Sequence, residues 1–279
     1  MKALDENQTQ NRRAVIDVGS NSVKLLVAEV AAGDVTPLVH EGEQTRLGRG
    51  VFDSGKLDPE AIAQTAFVAG RFAEKARRMG AVEVKAVATS AAREARNGID
   101  LIEAFREVNV PLTIIEGDRE AELVLRGVRS HSDFSDGPLA IIDVGGGSTE
   151  LLVADETGLR VQHSFPLGTV RLLEQHRTSD LPTAQERAKV IEALDQFLDD
   201  QVTPLLGTVA LPGMLVGAGG TPVFLSRILK ETDDLDATEL EALSWLLPEV
   251  QSLTDRLWMM SLERRRALAG LPADRADVI

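Results

Sequence analysis

Two short segments of the sequence share an aspartate followed by small residues. Asp17 opens the segment Asp-Val-Gly-Ser-Asn-Ser, and Asp143 opens Asp-Val-Gly-Gly-Gly-Ser. An aspartate at the end of an apolar run is usually a turn-forming residue. Its carboxylate can also hold Mg²⁺, which takes one or two carboxylates together with phosphate oxygens. Because the aspartate recurs in both segments, we favour the second interpretation, with Asp17 and Asp143 as candidate Mg²⁺ ligands.

The residues that follow Asp143 are suited to binding phosphate through the backbone. They are Gly145, Gly146, Gly147, Ser148 and Thr149. Successive N–H groups without bulky side chains let phosphate oxygens come close. The segment is not a P-loop, because no Gly-Lys-Ser/Thr follows, and it is not a Rossmann fingerprint, because a strand comes next. A single copy would favour a turn that binds nothing, but two copies favour phosphate binding.

Lys24 and Glu150 occupy matched positions in these two segments but carry opposite charges. The difference suggests separate functions, with a cation for an anionic ligand in one copy and a carboxylate for metal or water in the other. Two solvated strand residues are an equally good interpretation of the positions alone.

Two further loops contain groups that can bind anions. Arg93 follows the strand predicted for residues 82–88, and a guanidinium can pair with phosphate through two hydrogen bonds, although a lone loop arginine is usually only exposed. A second glycine-rich loop precedes a predicted helix, where backbone N–H groups can meet an anion or a nucleotide. Its candidate residues are Gly217, Gly219, Gly220 and Thr221.

An acidic stretch, residues 116–122, joins a predicted strand to a predicted helix. Carboxylates there commonly stabilise the helix N-terminus, but one of them can instead be a general base that activates water. Composition does not decide between these roles. Other chemistry has less support, because the four histidines show no metal-binding spacing, no Ser-His-Asp set is discernible and the chain has no cysteine. The basic run at 264–266 is interpreted as a solvated helix face.

An internal repeat organises the elements that position these residues. Residues 14–29 and 140–155 align without a gap at an offset of 126, with 10 of 16 positions identical. Each copy has an apolar run, a turn and a second apolar run rich in Val and Leu, which predicts a β-hairpin. The repeat predicts two similar domains, residues 1–127 and 128–279, that face each other across a cleft.

Helical and strand patterns alternate after each hairpin. We predict helices at 59–79, 98–108, 119–128, 167–176, 183–202, 221–229 and 238–252, and strands at 82–88, 112–115 and 214–216. This ββαβα order in each half predicts the mixed α/β fold class.

Composition narrows the class of protein further. The 279 residues are 43% hydrophobic, enough for two domains, and the net charge of −14 argues against a general nucleic-acid binder. Residues 1–127 hold 17 Lys and Arg against 20 Asp and Glu, whereas residues 128–279 hold 13 against 24. Cationic partners of an anionic ligand are therefore expected mainly in the first half. No run of the sequence approaches the ~18 apolar residues of a membrane span, and residues 1–13 have no apolar segment typical of a signal peptide. We therefore expect neither a membrane anchor nor a signal peptide, and hence a cytoplasmic protein.

Seven segments of the chain resemble the Ppx/GppA phosphatases, the exopolyphosphatase and guanosine pentaphosphate phosphohydrolase family. In the family's order they are residues 14–27, 46–50, 88–94, 114–122, 140–153, 165–171 and 216–221. Together they are specific, whereas any one alone would be weak. The resemblance implies two actin-like (ribonuclease H-like) domains with mixed sheets flanked by helices. It also implies Mg²⁺-dependent hydrolysis of the terminal phosphoanhydride of polyphosphate or pppGpp in the cleft between them.

The resemblance also implies roles for individual residues. Glu120 matches the catalytic base that deprotonates or orients the attacking water, while Asp143 and Glu150 match acids associated with metal and water. The groups around the phosphates match Ser20, Asn21, Ser22, Arg93 and the segment from Gly145 to Thr149. The expected cations of the first domain are Arg46, Arg49, Lys24 and Arg93.

Three functions are weighed. The first is the phosphohydrolase. The second is a binding protein that senses (p)ppGpp or another nucleotide with little turnover, which the acidic composition and the lack of the longer relatives' extra helical domains support. The third is a sugar-type kinase, but the sequence shows no signature of a pocket for an acceptor hydroxyl. Residues 275–279 resemble a family motif that normally continues, so a short form with an incomplete second domain is expected. Relatives often dimerise, and a homodimer is a further expectation.

Overall fold

The structure, a computed structural model, describes residues 11–31 and 34–279. Most of the N-terminal segment in which no signal peptide is expected therefore lies outside the described residues. None of the helices in the described ranges combines the length and the apolar character that crossing a bilayer requires. Backbone contacts divide the chain into two compact units, residues 1–120 and 121–279. The domain boundary at residue 127 stays a prediction.

The first unit is built on a mixed sheet. Its strands are β1 (Arg12–Val18), β2 (Ser22–Ala31), β3 (Asp34–Gln44), β4 (Glu83–Ala88) and β5 (Leu112–Ile114). The order across the sheet is β3-β2-β1-β4-β5. β2 is antiparallel to β1 and β3, whereas β1, β4 and β5 run parallel. The carboxyl ends of the three parallel strands therefore lie along one edge of the sheet.

Helices cover this sheet and supply its core. They are α1 (Val51–Ser54), α2 (Pro59–Arg78), α3 (Ser90–Glu94) and α4 (Gly98–Glu107), and α5 (Gly117–Arg129) begins in this unit. α2 starts where the carboxylate of Asp58 accepts the N–H groups of Glu60 and Ala61, so two otherwise unpaired helix donors are satisfied. Its apolar face, which includes the fully buried Phe72, packs in the main core of the unit.

The second unit repeats the strand order of the first. Its strands are β6 (Leu139–Val144), β7 (Thr149–Asp155), β8 (Gly158–Phe165) and β9 (Leu215–Ala218), in the order β8-β7-β6-β9. β7 is antiparallel to β6 and β8, and β9 runs parallel to β6. Each unit thus begins with three antiparallel strands, and its fourth strand returns beside the first.

The helices of the second unit are more interrupted. They are α6 (Thr169–Gln175), α7 (Ala184–Phe197), a π-helical segment (Leu198–Val202), α8 (Thr203–Leu206), α9 (Gly220–Lys230), α10 (Ala237–Glu241), α11 (Leu247–Trp258) and α12 (Leu262–Arg266), with 3₁₀ turns at Ser132–Phe134 and Ala273–Arg275. α7 begins with a capping box between Thr183 and Glu186. Hydrogen bonds from Thr183 and Ser179 lower the pKa of Glu186 to about 2.

The predicted fold class, two mixed sheets flanked by helices, is confirmed. Two details of the prediction are wrong. The ββαβα order omits β3 and β8, because most of β3 is exposed and its residues do not alternate between apolar and polar. The helix predicted at 238–252 is two helices, α10 and α11, since Pro248 has no N–H to donate to residue 244 and is tolerated only in the first turn of a new helix.

Candidate functional site

The two hairpins close with the same backbone hydrogen bond. The N–H of Gly19 donates to the carbonyl of Ser22 at 3.0 Å, and the N–H of Gly145 donates to the carbonyl of Ser148 at 3.0 Å. These residues are matched in the sequence repeat, so the duplicated sequence produces a duplicated bend. We call residues 19–22 the first bend and residues 145–148 the second bend.

The carbonyls of the first bend accept hydrogen bonds from a loop that follows β3. The carbonyl of Ser20 accepts the N–H of Gly48 at 2.7 Å, and that of Asn21 accepts the N–H groups of Thr45 at 3.2 Å and Arg46 at 3.0 Å. A Cβ at position 48 would lie 2.8 Å from the Cβ of Ser20, so this approach requires glycine.

The second bend is supported in a similar way from the start of α6. The carbonyl of Gly146 accepts the N–H groups of Val170 at 2.8 Å and Arg171 at 3.1 Å. The buried guanidinium of Arg171 donates Nε to the carbonyl of Gly147 at 2.9 Å. A Cβ at position 168 would lie 2.5 Å from the carbonyl carbon of Gly146. A glycine thus presses against the backbone of each bend.

Each bend also leaves backbone N–H donors available. Among residues 11–31 and 34–279, the N–H groups of Ser20, Asn21, Gly146 and Gly147 donate to no backbone carbonyl. Adjacent unpaired N–H groups on a tight bend form a concavity that attracts anions. Phosphate binding by Ser20, Asn21, Ser22 and the second bend stays a prediction, and this geometry is compatible with it.

Asp17 and Lys24 face each other across β1 and β2. The Nζ atom of Lys24 lies 3.8 Å from Oδ2 of Asp17, and both side chains are about one-third or more exposed. A cation at Asp17 would have to share the carboxylate with this ammonium group. Asp17 as a metal ligand and Lys24 as a phosphate ligand both stay predictions.

Arg93 and Glu120 form an ion pair. Nη1 of Arg93 donates to Oε2 of Glu120 at 3.0 Å and to the carbonyl of Ile115 at 3.0 Å. Both side chains are 16% exposed. Arg93 follows β4 and Glu120 follows β5, so the parallel strands end at the same edge and bring the two residues together. The sequence placed both residues in loops or helix starts but gave no sign of this contact.

Asp143 and Glu150 are paired across β6 and β7, as Asp17 and Lys24 are in the first unit. Glu150 is 2% exposed, and its Oε1 accepts a hydrogen bond from the hydroxyl of Ser164 at 2.7 Å. Asp143 lies against the backbone of Gly219, where a Cβ would be 2.1 Å from Oδ1. Gly219 has a φ of 81°, which favours glycine for a second reason.

The glycine-rich loop after β9 begins helix α9. The hydroxyl of Thr221 donates to the carbonyl of Val144 at 2.9 Å, which ties this loop to the end of β6. The guanidinium of Arg275 lies above the ring of Phe224 and beside Gly220, and burial lowers the pKa of Arg275. The loop that contains Gly217, Gly219, Gly220 and Thr221 therefore lies at the same sheet edge as Asp143.

The donor chemistry of the second unit fits Mg²⁺. The described residues contain no group of three or more His, Asp and Glu side chains that could enclose a metal by themselves. Mg²⁺ needs only one or two carboxylates when phosphate oxygens and waters complete its shell. Asp143 and Glu150, directly opposite on neighbouring strands, provide two carboxylates for such a site.

The residues that support the site are those the sequence did not single out. Ser164, Arg171, Gly48 and Gly168 contact predicted site residues, and none of them was a candidate. The sequence does contain a signal for the two glycines, Gly48 and Gly168. Each is preceded by a leucine, and the resulting Leu-Gly pair follows β3 in the first unit and β8 in the second. This second repeat is too short to be recognised without the bends that it contacts.

Comparisons with known proteins agree with this geometry. A model of the Ppx/GppA phosphatase family matches residues 26–279. Exopolyphosphatase 2 of Mycobacterium tuberculosis is 33% identical, and the alignment covers 96% of this chain and 86% of that protein. A guanosine-5'-triphosphate,3'-diphosphate pyrophosphatase of Pseudoalteromonas atlantica is 28% identical over 86% of this chain and 47% of that protein.

A solved structure gives the same result. The crystal structure of an exopolyphosphatase from Cytophaga hutchinsonii has a TM-score of 0.84 to this chain, with 29% identity over 96% of this chain and 86% of that one. Sequence and structure agree across nearly the whole chain. The chain belongs to the Ppx/GppA phosphatase family.

Proposed function

We propose that the protein is a phosphohydrolase that releases terminal orthophosphate from inorganic polyphosphate or pppGpp, with Mg²⁺ as cofactor. The observation that carries the proposal is the pair of bends, each with bonded carbonyls and with N–H groups that donate to no backbone carbonyl within residues 11–31 and 34–279. Phosphoryl transfer needs mainly positioning and neutralisation of charge, because the phosphate brings little covalent chemistry for the protein to perform. Preorganised N–H donors supply both.

Glu120 is the proposed general base. Its carboxylate is mostly buried, and Arg93 holds Oε2 at 3.0 Å. In this position Glu120 orients the attacking water and accepts its proton as the oxygen approaches the terminal phosphorus. Arg93 limits the motion of the carboxylate and adds a positive charge at the edge of the sheet where the phosphate chain is proposed to lie.

Asp143 and Glu150 are the residues that would hold Mg²⁺. When bound, Mg²⁺ neutralises charge on the phosphate oxygens and orients the leaving group. Ser164 fixes the orientation of Glu150 by donating a hydrogen bond to Oε1.

The relatives favour polyphosphate as the first substrate to assay. The relative with 33% identity is named an exopolyphosphatase and is aligned over most of its length, whereas the guanosine-5'-triphosphate,3'-diphosphate pyrophosphatase is aligned over about half. Both substrates end in the same terminal phosphoanhydride, so pppGpp is the second substrate.

The test measures orthophosphate released from medium-chain polyphosphate and from pppGpp in the presence of Mg²⁺. Glu120→Gln keeps the size of the side chain but removes the base, and we expect a loss on the order of 10²–10⁴-fold in kcat. Glu74→Gln is the matched control, because Glu74 is an exposed helical glutamate paired with Arg78, and its activity should equal that of the wild type.

Two results would count against the proposal. Full turnover by Glu120→Gln would remove Glu120 as the base. Tight binding of either substrate by the wild type without any release of orthophosphate would favour the nucleotide-sensing protein instead.

A further inference from the structure

The side chain of Asn21 is buried without a hydrogen-bond partner. It lies in the first bend and is 6% exposed. Within the described ranges, its Nδ2 is inaccessible to solvent and donates to no acceptor. Buried side-chain amides are nearly always hydrogen-bonded, so an amide left unpaired at a functional loop needs an explanation.

Thr45 has the same property and lies directly beside Asn21. Thr45 is 7% exposed, and its Oγ1 finds no partner in the part of the chain that the structure describes. Its backbone N–H donates to the carbonyl of Asn21 at 3.2 Å. Asn21 lies just before β2, and Thr45 lies in the loop just after β3. These neighbouring residues thus each carry a buried polar group without a hydrogen-bond partner among the described residues.

The chemistry of these groups selects the kind of ligand. An amide NH₂ is only a donor, so Nδ2 cannot ligate a cation. A hydroxyl donates one hydrogen bond, and the N–H groups of Ser20 and Asn21, which donate to no backbone carbonyl in the described ranges, are donors as well. A set of donors without a carboxylate acceptor is suited to an anionic oxygen.

We propose that Thr45 is a substrate-binding residue, and that its hydroxyl and the amide of Asn21 donate hydrogen bonds to an oxygen of the phosphate chain at the first bend. The inference rests on the proposed function in one respect, that the ligand of the bend is an oligophosphate. It adds a contact from a segment outside the hairpin, and this contact belongs to the first unit, whereas Asp143 and Glu150 belong to the second.

The experiment measures binding and folding separately. The probe is diimidotriphosphate, a tripolyphosphate analogue in which both bridging oxygens are replaced by nitrogen and resist hydrolysis. It is titrated into the full chain with Mg²⁺ by calorimetry. Thr45→Val removes the hydroxyl at nearly constant volume, and we expect affinity to fall about tenfold or more. Thr45→Ser keeps the hydroxyl and should bind within about threefold of the wild type.

Thermal unfolding without ligand distinguishes a ligand-binding role from a structural one. Removing a hydroxyl that has no partner should leave Thr45→Val at least as stable as the wild type, because a buried polar group is unsatisfied until ligand binds. Thr65→Val is the matched control. Thr65 is also fully buried with an unpartnered hydroxyl, but it lies on α2 between the core residues Ile62 and Ala66, and this variant should bind as the wild type does.

The outcomes separate this inference from the proposed function. Unchanged affinity in Thr45→Val overturns the inference and leaves the hydrolase proposal standing. If Thr45→Val unfolds at a lower temperature than the wild type without ligand and its affinity is unchanged, the hydroxyl stabilises the fold, and the inference is again overturned. If the wild type binds diimidotriphosphate and Thr45→Val weakens this binding, but neither polyphosphate nor pppGpp is hydrolysed, the inference is supported and the hydrolase proposal is overturned.

Discussion

Glu120 depends on Arg93 for its position. A single nitrogen of Arg93, Nη1, donates both to Glu120 and to the backbone carbonyl of Ile115, each at 3.0 Å. The carboxylate is therefore tied to the end of β5 through a rigid guanidinium. A base that must align a water molecule benefits from this restraint, because misplacement by about 1 Å can cost about 10²-fold in rate.

Arg93→Lys should reduce kcat about 10- to 100-fold while the protein remains folded. Lysine keeps the positive charge, but its ammonium group sits on a flexible stem and is not held where the rigid guanidinium holds Nη1, between Glu120 and the carbonyl of Ile115. The measurement is orthophosphate release under saturating substrate. Arg78→Lys, at a 70% exposed side chain, controls for the substitution itself, and equal kcat in Arg93→Lys and the wild type would show that the pair has no catalytic role.

At the scale of single residues, the sequence predicts which types of group are present but not their partners. Asp143 and Glu150 are recognisable as acids at strand ends. The hydroxyl of Ser164 on Glu150 is not, because it depends on the register of β7 with β8, a strand that the sequence pattern did not predict. Contacts such as Arg93 with Glu120 depend on which strands become neighbours, and local patterns do not contain that information.

The shape of each bend depends on a loop that lies further along the chain and contains a Leu-Gly pair. Gly48 packs on the first bend and Gly168 packs on the second, and in each case the neighbouring residues donate their N–H groups to the bend carbonyls. The shape of each bend is thus set by its hairpin and by a loop more than 20 residues further along the chain.

Gly168→Ala should therefore damage the second bend. The new Cβ would meet the carbonyl carbon and oxygen of Gly146 at 2.5 Å and the nitrogen of Gly147 at 2.6 Å. We expect a loss of about 1–3 kcal/mol in the free energy of unfolding, because overpacking forces the backbone to shift, together with a clear loss of activity.

Chemical denaturation and orthophosphate release test this expectation. Gly213→Ala provides the control, since a Cβ at that position would have no neighbour within 4 Å, and it should change neither quantity. Wild-type stability and turnover in Gly168→Ala would mean that the bend tolerates displacement.

The elements that the sequence predicted well are those with strong periodicity or clear ends. Helix α2 has Asp58 and Pro59 at its start and a regular apolar face, and its predicted range differs from the observed one by a single residue. β3 was missed because it is exposed along most of its length, so burial imposes no alternation on its residues. α10 and α11 were merged because apolar residues continue through the break.

The whole chain carries a strong negative charge, and its proposed substrates are polyanions. The net charge is −14. Long-range repulsion from such a surface opposes the approach of polyphosphate, whereas the contacts in the bends act at short range. Salt screens interactions beyond about 10 Å at 0.1 M ionic strength and weakens short contacts less.

We expect the KM for polyphosphate to fall as inert salt is raised from about 0.02 to 0.15 M, because the screening length shrinks over this range from roughly 20 Å to about 8 Å and the long-range repulsion weakens. Tetramethylammonium chloride is suitable, because its large cation does not compete for carboxylate sites, and Mg²⁺ is held constant. A KM that rises throughout this range would show that attraction by Arg46, Arg49 and their neighbours outweighs the general repulsion.

The duplication is the property of the whole molecule that the sequence predicted best. An identity of 10 in 16 residues at one offset predicted paired hairpins, and the matched closing bonds of Gly19 and Gly145 confirm them. The strand order β3-β2-β1-β4 and its repeat β8-β7-β6-β9 extend the similarity beyond the segment where it is visible in sequence. The cleft, the homodimer and the boundary at 127 stay predictions.

The bonded carbonyls of the bends bear on how the two halves diverged. In both copies the bend carbonyls accept backbone N–H groups from a loop further along the chain, so these bonds do not depend on the side chains of the bend. Ser20 and Asn21 in one copy and Gly146 and Gly147 in the other therefore combine the same backbone frame with different side chains. A substitution at one of these positions changes the side chain that one half offers and leaves the supporting bonds of both halves in place.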